Sequence, residues 1–224
     1  MTAVAQKQKR KVFLVDDHPL VREWLTNLIN QQPDLVVCGE AESAPQALQA
    51  IALAKPEVAI VDISLKDSSG IELIKTLKQF RPAMSVLVLS MHDESLYAER
   101  ALRAGAKGYI MKRETTKKVI DAIRRVLEGK VYVSDAVTDV MATRLVEGKE
   151  LTGRSPVEQL SDRELEVFEM LGQGLGTRQI AKTLRVSIKT VQVYCARMKE
   201  KMNLGSATEL LREAFRWNET KHPR

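Results

Sequence analysis

"KVFLVDDHPL", residues 11–20, is an apolar run that ends in two adjacent carboxylates. Val12 to Val15 read as a buried strand, because consecutive apolar and partly β-branched residues suit a sheet covered on both faces. Asp16 and Asp17 follow without a spacer. Side by side they repel each other and resist removal from water. A helix starting just after them would let one aspartate act as an N-cap beside a solvated neighbour. The alternative is a charged site, and what the chain places near the pair decides between them.

Four more runs share the strand pattern: "LVVCGEA" (35–41), "VAIVD" (58–62), "SVLVLS" (85–90) and "GYIM" (108–111), with amphipathic stretches between them. Pro33, Pro56 and Pro82 precede three of these runs and cannot continue a helix. Gly105 stands where a left-handed helix C-cap is expected. Strands that alternate with helices imply parallel neighbours, since crossover connections need that length. The first part of the chain is therefore read as a doubly wound α/β fold with a five-stranded parallel sheet. In such sheets ligands bind beyond the carboxyl ends of the strands. Asp16, Asp17, Asp62, Ser90 and Lys112 all end strands and converge on one edge. Clustered carboxylates suit a hard divalent cation such as Mg²⁺. Lys112 and the Ser90 hydroxyl add a fixed cation and a donor, as a phosphoryl group transferring to a carboxylate oxygen requires.

"VDDHP", "VDISLKDSSGIEL", "VLS" and "GAKGYIMK", in this order and spacing, resemble the receiver domain of bacterial two-component response regulators, a flavodoxin-like fold, over about residues 10–130. The resemblance implies that Asp62 accepts a phosphoryl group from a sensor histidine kinase. It implies Mg²⁺ held by Asp17, Asp62 and the Ser64 carbonyl, with Asp16 acting mainly through a bound water. Ser90 would contact the phosphoryl oxygen, Lys112 would pair with it, and Tyr109 would change exposure on activation. Many receivers have proline after the lysine, whereas here Arg113 follows.

The 224 residues suffice for two modest domains. Charged residues at 29% and apolar residues at 44% fit a soluble globular protein. Two cysteines, Cys38 and Cys195, one in each half, offer no disulfide framework or CxxC knuckle, and a reducing cytoplasm fits. The basic N-terminal stretch has no apolar core after it, and no run is long enough to span a bilayer, so a short flexible head and no membrane partner are expected. His18, His92 and His222 are scattered without metal-ligand spacing and are expected to be solvated or locally bonded.

Residues 131–157 read as a linker: "SDAVTDVMATRLVEG" can form one helix capped by Ser134, and "GKELTGRSPVE" has the Gly, Ser and Pro of an exposed connection. Beyond it the chain is helical. Ser161 and Glu164 form a capping box, with Leu160 and Leu165 spaced as a staple. "GQGLG" follows a helix and reads as a turn rather than a nucleotide loop. Thr177 can cap "RQIAKTL", Ser187 can cap "IKTVQVYCARMKEKM", and Ser206 with Glu209 offers another box. Four short helices are expected. Val191, Cys195, Met198 and Met202 form one apolar stripe, which makes Cys195 a core residue. Between residues 178 and 201, Arg178, Lys182, Arg185, Lys189, Arg197, Lys199 and Lys201 face Glu200 alone, an electrostatic footprint for phosphate backbone.

"LSDRELEVFEMLGQGLGTRQIAKTLRVSIKTVQVYCARMKEKMNL" resembles the LuxR-type helix-turn-helix of the NarL/FixJ response regulators, over about residues 158–218. The resemblance implies a scanning helix near 177–184 and a recognition helix near 188–202 in the major groove of double-stranded DNA. Gln192, Val193 and Ala196 would lie nearest the bases, Lys189, Arg197 and Lys199 nearer phosphates, with Arg178 and Thr190 completing the contacts. Where many relatives read "TVKxH", this chain has "TVQVY". Gln can pair with adenine and Val can touch a thymine methyl. Leu210, Leu211, Ala214 and Trp217 give the last helix a wide apolar surface, part of it packed beneath the recognition helix; in relatives it also pairs DNA-bound subunits, which implies a homodimer.

Two other classes compete with a phosphorylation-controlled transcriptional regulator. A Mg²⁺-dependent phosphohydrolase also uses a nucleophilic aspartate, but the haloacid-dehalogenase pattern needs DxD where this chain has "VDDHP". A phosphorylation-independent DNA binder would have no use for Asp16, Asp17, Asp62, Ser90 and Lys112 together.

Overall fold

A computed structural model describes residues 8–65, 68–146 and 156–221. The N-terminal head, the stretch 147–155 and His222 lie outside the described residues. The chain divides into two compact units, residues 1–147 and 148–224.

In the first unit β1 (Arg10–Val15), β2 (Leu35–Ala41), β3 (Val58–Val61), β6 (Ser85–Ser90) and β7 (Gly108–Met111) form one sheet in the order β2-β1-β3-β6-β7. Every pairing in it is parallel. These are the five runs read from the sequence. Their side chains alternate between two covered faces, which is why the strands are apolar throughout. Val12, Leu14, Val58, Ile60, Leu87, Leu89 and Ile110 pack with Leu25 and Ile29 of α1 (Pro19–Asn30) and with Val119, Ile123 and Val126 of α5 (Thr116–Leu127). Phe13, Val15, Ala59, Val61, Val86, Val88 and Tyr109 are buried on the other face. That face is covered by α2 (Ala44–Ala54), α3 (Gly70–Phe80) and α4 (Glu94–Ala104). Gly105 ends α4 in the left-handed conformation, φ 111°. α6 (Asp135–Val146) follows, with Ser134 Oγ accepting from Val137 N at 3.2 Å as its cap.

Between β3 and α3 a two-residue ladder, β4 (Ser64–Leu65) with β5 (Ser68–Ser69), runs antiparallel. It brings Gly70 back onto the strand end, where Gly70 N donates to Ile63 O at 2.8 Å. A Cβ on Gly70 would lie 2.1 Å from the Asp62 carbonyl oxygen, so only glycine permits this approach. Gly70→Ala is expected to cost about 1–3 kcal/mol, seen as a lower urea midpoint with an unchanged slope.

The second unit is helical: a 3₁₀ turn (Pro156–Gln159), α7 (Asp162–Gly172), α8 (Thr177–Thr183), α9 (Ile188–Lys201) and α10 (Ala207–Lys221). Leu160, Leu165, Phe168, Leu171, Ile180, Val191, Met198, Leu210 and Ala214 form its core, and Phe168 meets Trp217 edge-on at 5.5 Å. The capping box of α7 forms between Ser161 and Glu164. Two cap expectations need correction. Gly176, not Thr177, precedes α8, and its N–H donates to Gln179 Oε1 at 2.9 Å; the helix N–H that a capping hydroxyl would take, Gln179 N, donates to the Gly176 carbonyl instead. At α10, Ser206 Oγ accepts from Glu209 N, but Glu209 Oε2 takes Gly205 N one residue earlier. No helix among the described residues is long and apolar enough to cross a membrane.

Candidate functional site

The sheet order turns between β1 and β3, and the strand ends there place Asp16 and Asp62 side by side. Both are 3% exposed. Lys112, one residue past β7, reaches between them: its Nζ stands 2.6 Å from Asp16 Oδ2 and 2.7 Å from Asp62 Oδ2. Asp62 Oδ1 accepts from Ser64 N at a long 3.3 Å. Asp16 Oδ1 accepts from His18 N at 2.9 Å, and Arg22 Nη1 donates to the Asp16 carbonyl at 2.6 Å. Asp16 is thus not the N-cap of α1; His18 holds that position, with Pro19 opening the helix.

Asp17 is different. Its Oδ1 is buried and has no hydrogen-bond partner, although His18 Nδ1 lies 2.9 Å away without hydrogen-bond geometry. One ligand atom from each of Asp16, Asp17, His18 and Asp62 falls within 4.8 Å of the others. His18, expected to be solvated or locally bonded, is exposed at the rim of this cluster with its Nδ1 3.1 Å from Asp16 Oδ1.

The charges are unbalanced. Burial pushes the Asp62 carboxyl above its ordinary value; Lys112 opposes the shift and Asp16 reinforces it. Burial alone would lower Lys112, but Asp62 and Asp16 outweigh it and hold the ammonium above its usual range. Three carboxylates facing one lysine favour a further cation, and hard oxygen donors with an unsatisfied buried oxygen fit Mg²⁺.

Ser90 is fully buried at the end of β6, where its Oγ accepts from His92 N at 3.2 Å. Tyr109 is turned inward, 1% exposed, and its hydroxyl donates to the His92 carbonyl at 2.8 Å. His92 Nε2 and Ser64 Oγ share a hydrogen bond of 2.7 Å. The structure brings Asp16, Asp17, Asp62, Ser64, Ser90, Tyr109 and Lys112 to one edge. Sequence reasoning missed Arg22 and His92, which have no motif spacing of their own. The Lys112–Arg113 peptide is trans.

In the second unit Ser187 Oγ caps α9 by accepting from Thr190 N at 3.0 Å. The apolar stripe turns inward: Val191 and Met198 are fully buried and Met202 nearly so. Cys195 on that stripe is half-buried, and burial pushes its thiol up, away from a reactive thiolate. Arg178, Lys189, Gln192, Val193, Ala196 and Arg197 are exposed, while Thr190 and Lys199 are half-covered. Ile188, 41% exposed, shares the outer surface and was not singled out from the sequence. Lys201 leaves the basic set, since its Nζ pairs with buried Glu164 at 2.6 Å.

A parallel α/β unit with a buried acidic pocket against a lysine, followed by a helix-turn-helix unit, defines a receiver-type signalling module joined to a DNA-binding module. Residues 12–124 match the response regulator receiver domain, and residues 158–214 match the bacterial regulatory proteins of the luxR family. The oxygen regulatory protein NreC of Staphylococcus haemolyticus is 32% identical over 210 residues, covering 92% of this chain and 97% of that protein. The transcriptional regulatory protein UhpA of Escherichia coli is 36% identical over 204 residues, covering 91% and 97%. A structure of the response regulator RcsB from Salmonella typhimurium is similar with a TM-score of 0.56, 25% identity and coverage of 92% and 98%. So is a structure of two RcsB dimers bound to two parallel DNAs, at TM-score 0.56, 25% identity and coverage of 92% and 97%. The chain belongs to the two-component response regulators of the NarL/FixJ type. It is a DNA-binding transcriptional regulator and not a turnover enzyme.

Proposed function

We propose that Asp62 is the phosphoacceptor and that its phosphorylation by a sensor histidine kinase controls DNA binding by α9. One carboxylate oxygen of Asp62 forms the new P–O bond as the P–N bond of a phosphohistidine breaks, the electron pair returning to the imidazole nitrogen. Lys112, bridging Asp16 and Asp62 at 2.6 and 2.7 Å in a buried pocket, is the observation that carries this reading. Its ammonium is fixed where the phosphoryl charge would arrive. Ser90 and Tyr109 form the switch that responds: the Ser90 hydroxyl turns to a phosphoryl oxygen, and Tyr109 moves with it. The receiver is assigned to residues 10–130, the linker with α6 to 131–157, and the DNA-binding domain to 158–218.

Asp17, Asp62 and the Ser64 carbonyl are the proposed Mg²⁺ ligands, with Asp16 acting through water. When bound, Mg²⁺ supplies positive charge that offsets carboxylate repulsion and screens the incoming phosphoryl group. Asp17→Ala, which removes a buried oxygen without a partner, is expected to raise stability without Mg²⁺ by about 1–2 kcal/mol. The same variant should lose the rise in melting temperature that Mg²⁺ gives the unsubstituted protein. Thermal unfolding with and without MgCl₂ checks both.

On DNA, Gln192, Val193 and Ala196 face the bases, and Lys189, Arg197 and Lys199 the phosphates, with Arg178 and Thr190 at the edge of the contact. Leu211 and Phe215 remain 39% and 46% exposed four residues apart on α10. They support a homodimer on DNA, the state in which RcsB was captured. A cytoplasmic location is supported by a histidine-kinase partner and agrees with Cys38 and Cys195 lying outside any disulfide. The test is intact-mass analysis with a small acyl phosphate: one phosphoryl group is gained with Mg²⁺ and none with chelator. Labelling that ignores the chelator would contradict the metal-assisted site.

A further inference from the structure

His92 was not among the residues the sequence pointed to, yet four groups of the pocket's rim meet on it. Its N–H donates to Ser90 Oγ at 3.2 Å, and its carbonyl accepts from the Tyr109 hydroxyl at 2.8 Å. Its ring lies against that of Tyr97, fully buried, with centroids 4.6 Å apart. The ring's outer nitrogen, Nε2, then meets Ser64 Oγ at 2.7 Å. His92 is held on three sides and reaches across to the segment that follows Asp62.

Ser64 is the residue whose N–H meets Asp62 Oδ1, at 3.3 Å. That bond is long and by itself orients the carboxylate weakly. The 2.7 Å side-chain bond to His92 is a second hold on Ser64, beside its backbone pairing with Ser69. Lys112 Nζ fixes Asp62 Oδ2 at 2.7 Å, and the His92 ring, two residues past β6, bears on the other oxygen, Oδ1, through Ser64 N. We propose that His92 is a positioning residue for phosphoryl transfer to Asp62, acting by pinning Ser64. The inference rests on the reading of Asp62 as phosphoacceptor. In the step concerned, an Asp62 oxygen forms a P–O bond while the P–O bond of the donor acyl phosphate breaks. The carboxylate product leaves with the electron pair, and no proton or electron is exchanged with the histidine.

Orientation errors of an ångström can cost orders of magnitude in rate, and the loss of one tether should cost about tenfold. The experiment measures initial labelling rates by intact mass over a range of acetyl phosphate concentrations with Mg²⁺. His92→Ala should lower the maximal rate about tenfold and leave the half-saturating donor concentration within about twofold, because donor binding is untouched. Ser64→Ala should lose the same factor, and the double variant no more, since both remove one bond. His92→Gln, which keeps a side-chain nitrogen able to hydrogen-bond a hydroxyl, should recover most of the rate. A general structural defect would lower the melting temperature without this pattern of non-additivity and rescue. If His92→Ala does not fold, Ser64→Ala must still slow about tenfold. Wild-type rates in Ser64→Ala, additive losses, or failure of the glutamine would each overturn the positioning role while leaving Asp62 as acceptor. Absence of labelling in the unsubstituted protein would instead overturn the acceptor reading, and the positioning role with it.

Discussion

Asp62→Asn is expected to abolish labelling by a phosphodonor, from one phosphoryl group per chain to none. In the proposed reading the carboxylate is the nucleophile, and an amide at the same place keeps the shape and the bond from Ser64 N while removing the attacking charge. Asp16, the other buried carboxylate, shares Lys112 but has its second oxygen held by His18 N at 2.9 Å, whereas Asp62 Oδ1 has only the long 3.3 Å bond from Ser64 N and is the freer oxygen. Intact mass decides the point: a variant labelled as well as the native protein would remove Asp62 from the account. The variant also has a signature in stability. Because burial raises the Asp62 pKa in the folded protein, the unfolded chain gives up that proton first as pH rises. The folded state then binds more protons than the unfolded one, so this group lowers stability as pH rises from about 4 through the folded value. Asp62→Asn should remove that falling limb from melting curves recorded without Mg²⁺. Lys112 keeps Asp16 as a partner, so the substitution does not strand a buried cation.

Replacing Lys189, Arg197 and Lys199 together by alanine should weaken DNA binding about a hundredfold and flatten its salt dependence. Each neutralised phosphate releases condensed counterions, and the logarithmic slope changes by about 0.9 for each phosphate that no longer has a cationic partner. Three such phosphates predict a change close to three, equal on every sequence tested. Gln192→Ala should behave otherwise, costing about 1–3 kcal/mol on the preferred site alone, because it removes a hydrogen bond to a base rather than an ion pair with the backbone. Both variants should fold normally, since the α9 residues that build the core are Val191 and Met198 on the other side. Titrations at several salt concentrations separate the two behaviours, and an unchanged slope in the triple variant would move the DNA surface off α9.

The strands were legible because burial on both faces leaves nothing but apolar residues in them, and prolines and Gly105 mark the helix ends. Their carboxyl ends could then be aligned, which is how Asp16, Asp62 and Lys112 come together from the sequence alone. The β4–β5 ladder was not legible. Its strands are two residues long and rich in serine, so neither period nor β-propensity marks them, and their role is to return the chain to Gly70. His92 was missed for a related reason: its ring acts through Ser64, 28 residues earlier, and only the folded loops make them neighbours. The basic run 178–201 counted Lys201 among its cations, although the Lys201 ammonium pairs with Glu164 at the start of α7. Charge counted along a sequence does not distinguish a solvated lysine from one committed to a buried partner.

In the proposed switch, the phosphoryl group on Asp62 sets the affinity of α9 for DNA. Full-length protein, unphosphorylated and phosphorylated, should be titrated at fixed salt against one operator, beside Asp62→Asn treated with the same donor. Phosphorylation should tighten binding by about 5- to 150-fold, the range of coupling energies between two sites in one protein, and the treated variant should match the unphosphorylated protein. Equal affinities for phosphorylated and unphosphorylated chains would contradict the claim and leave a DNA binder indifferent to its own acidic pocket.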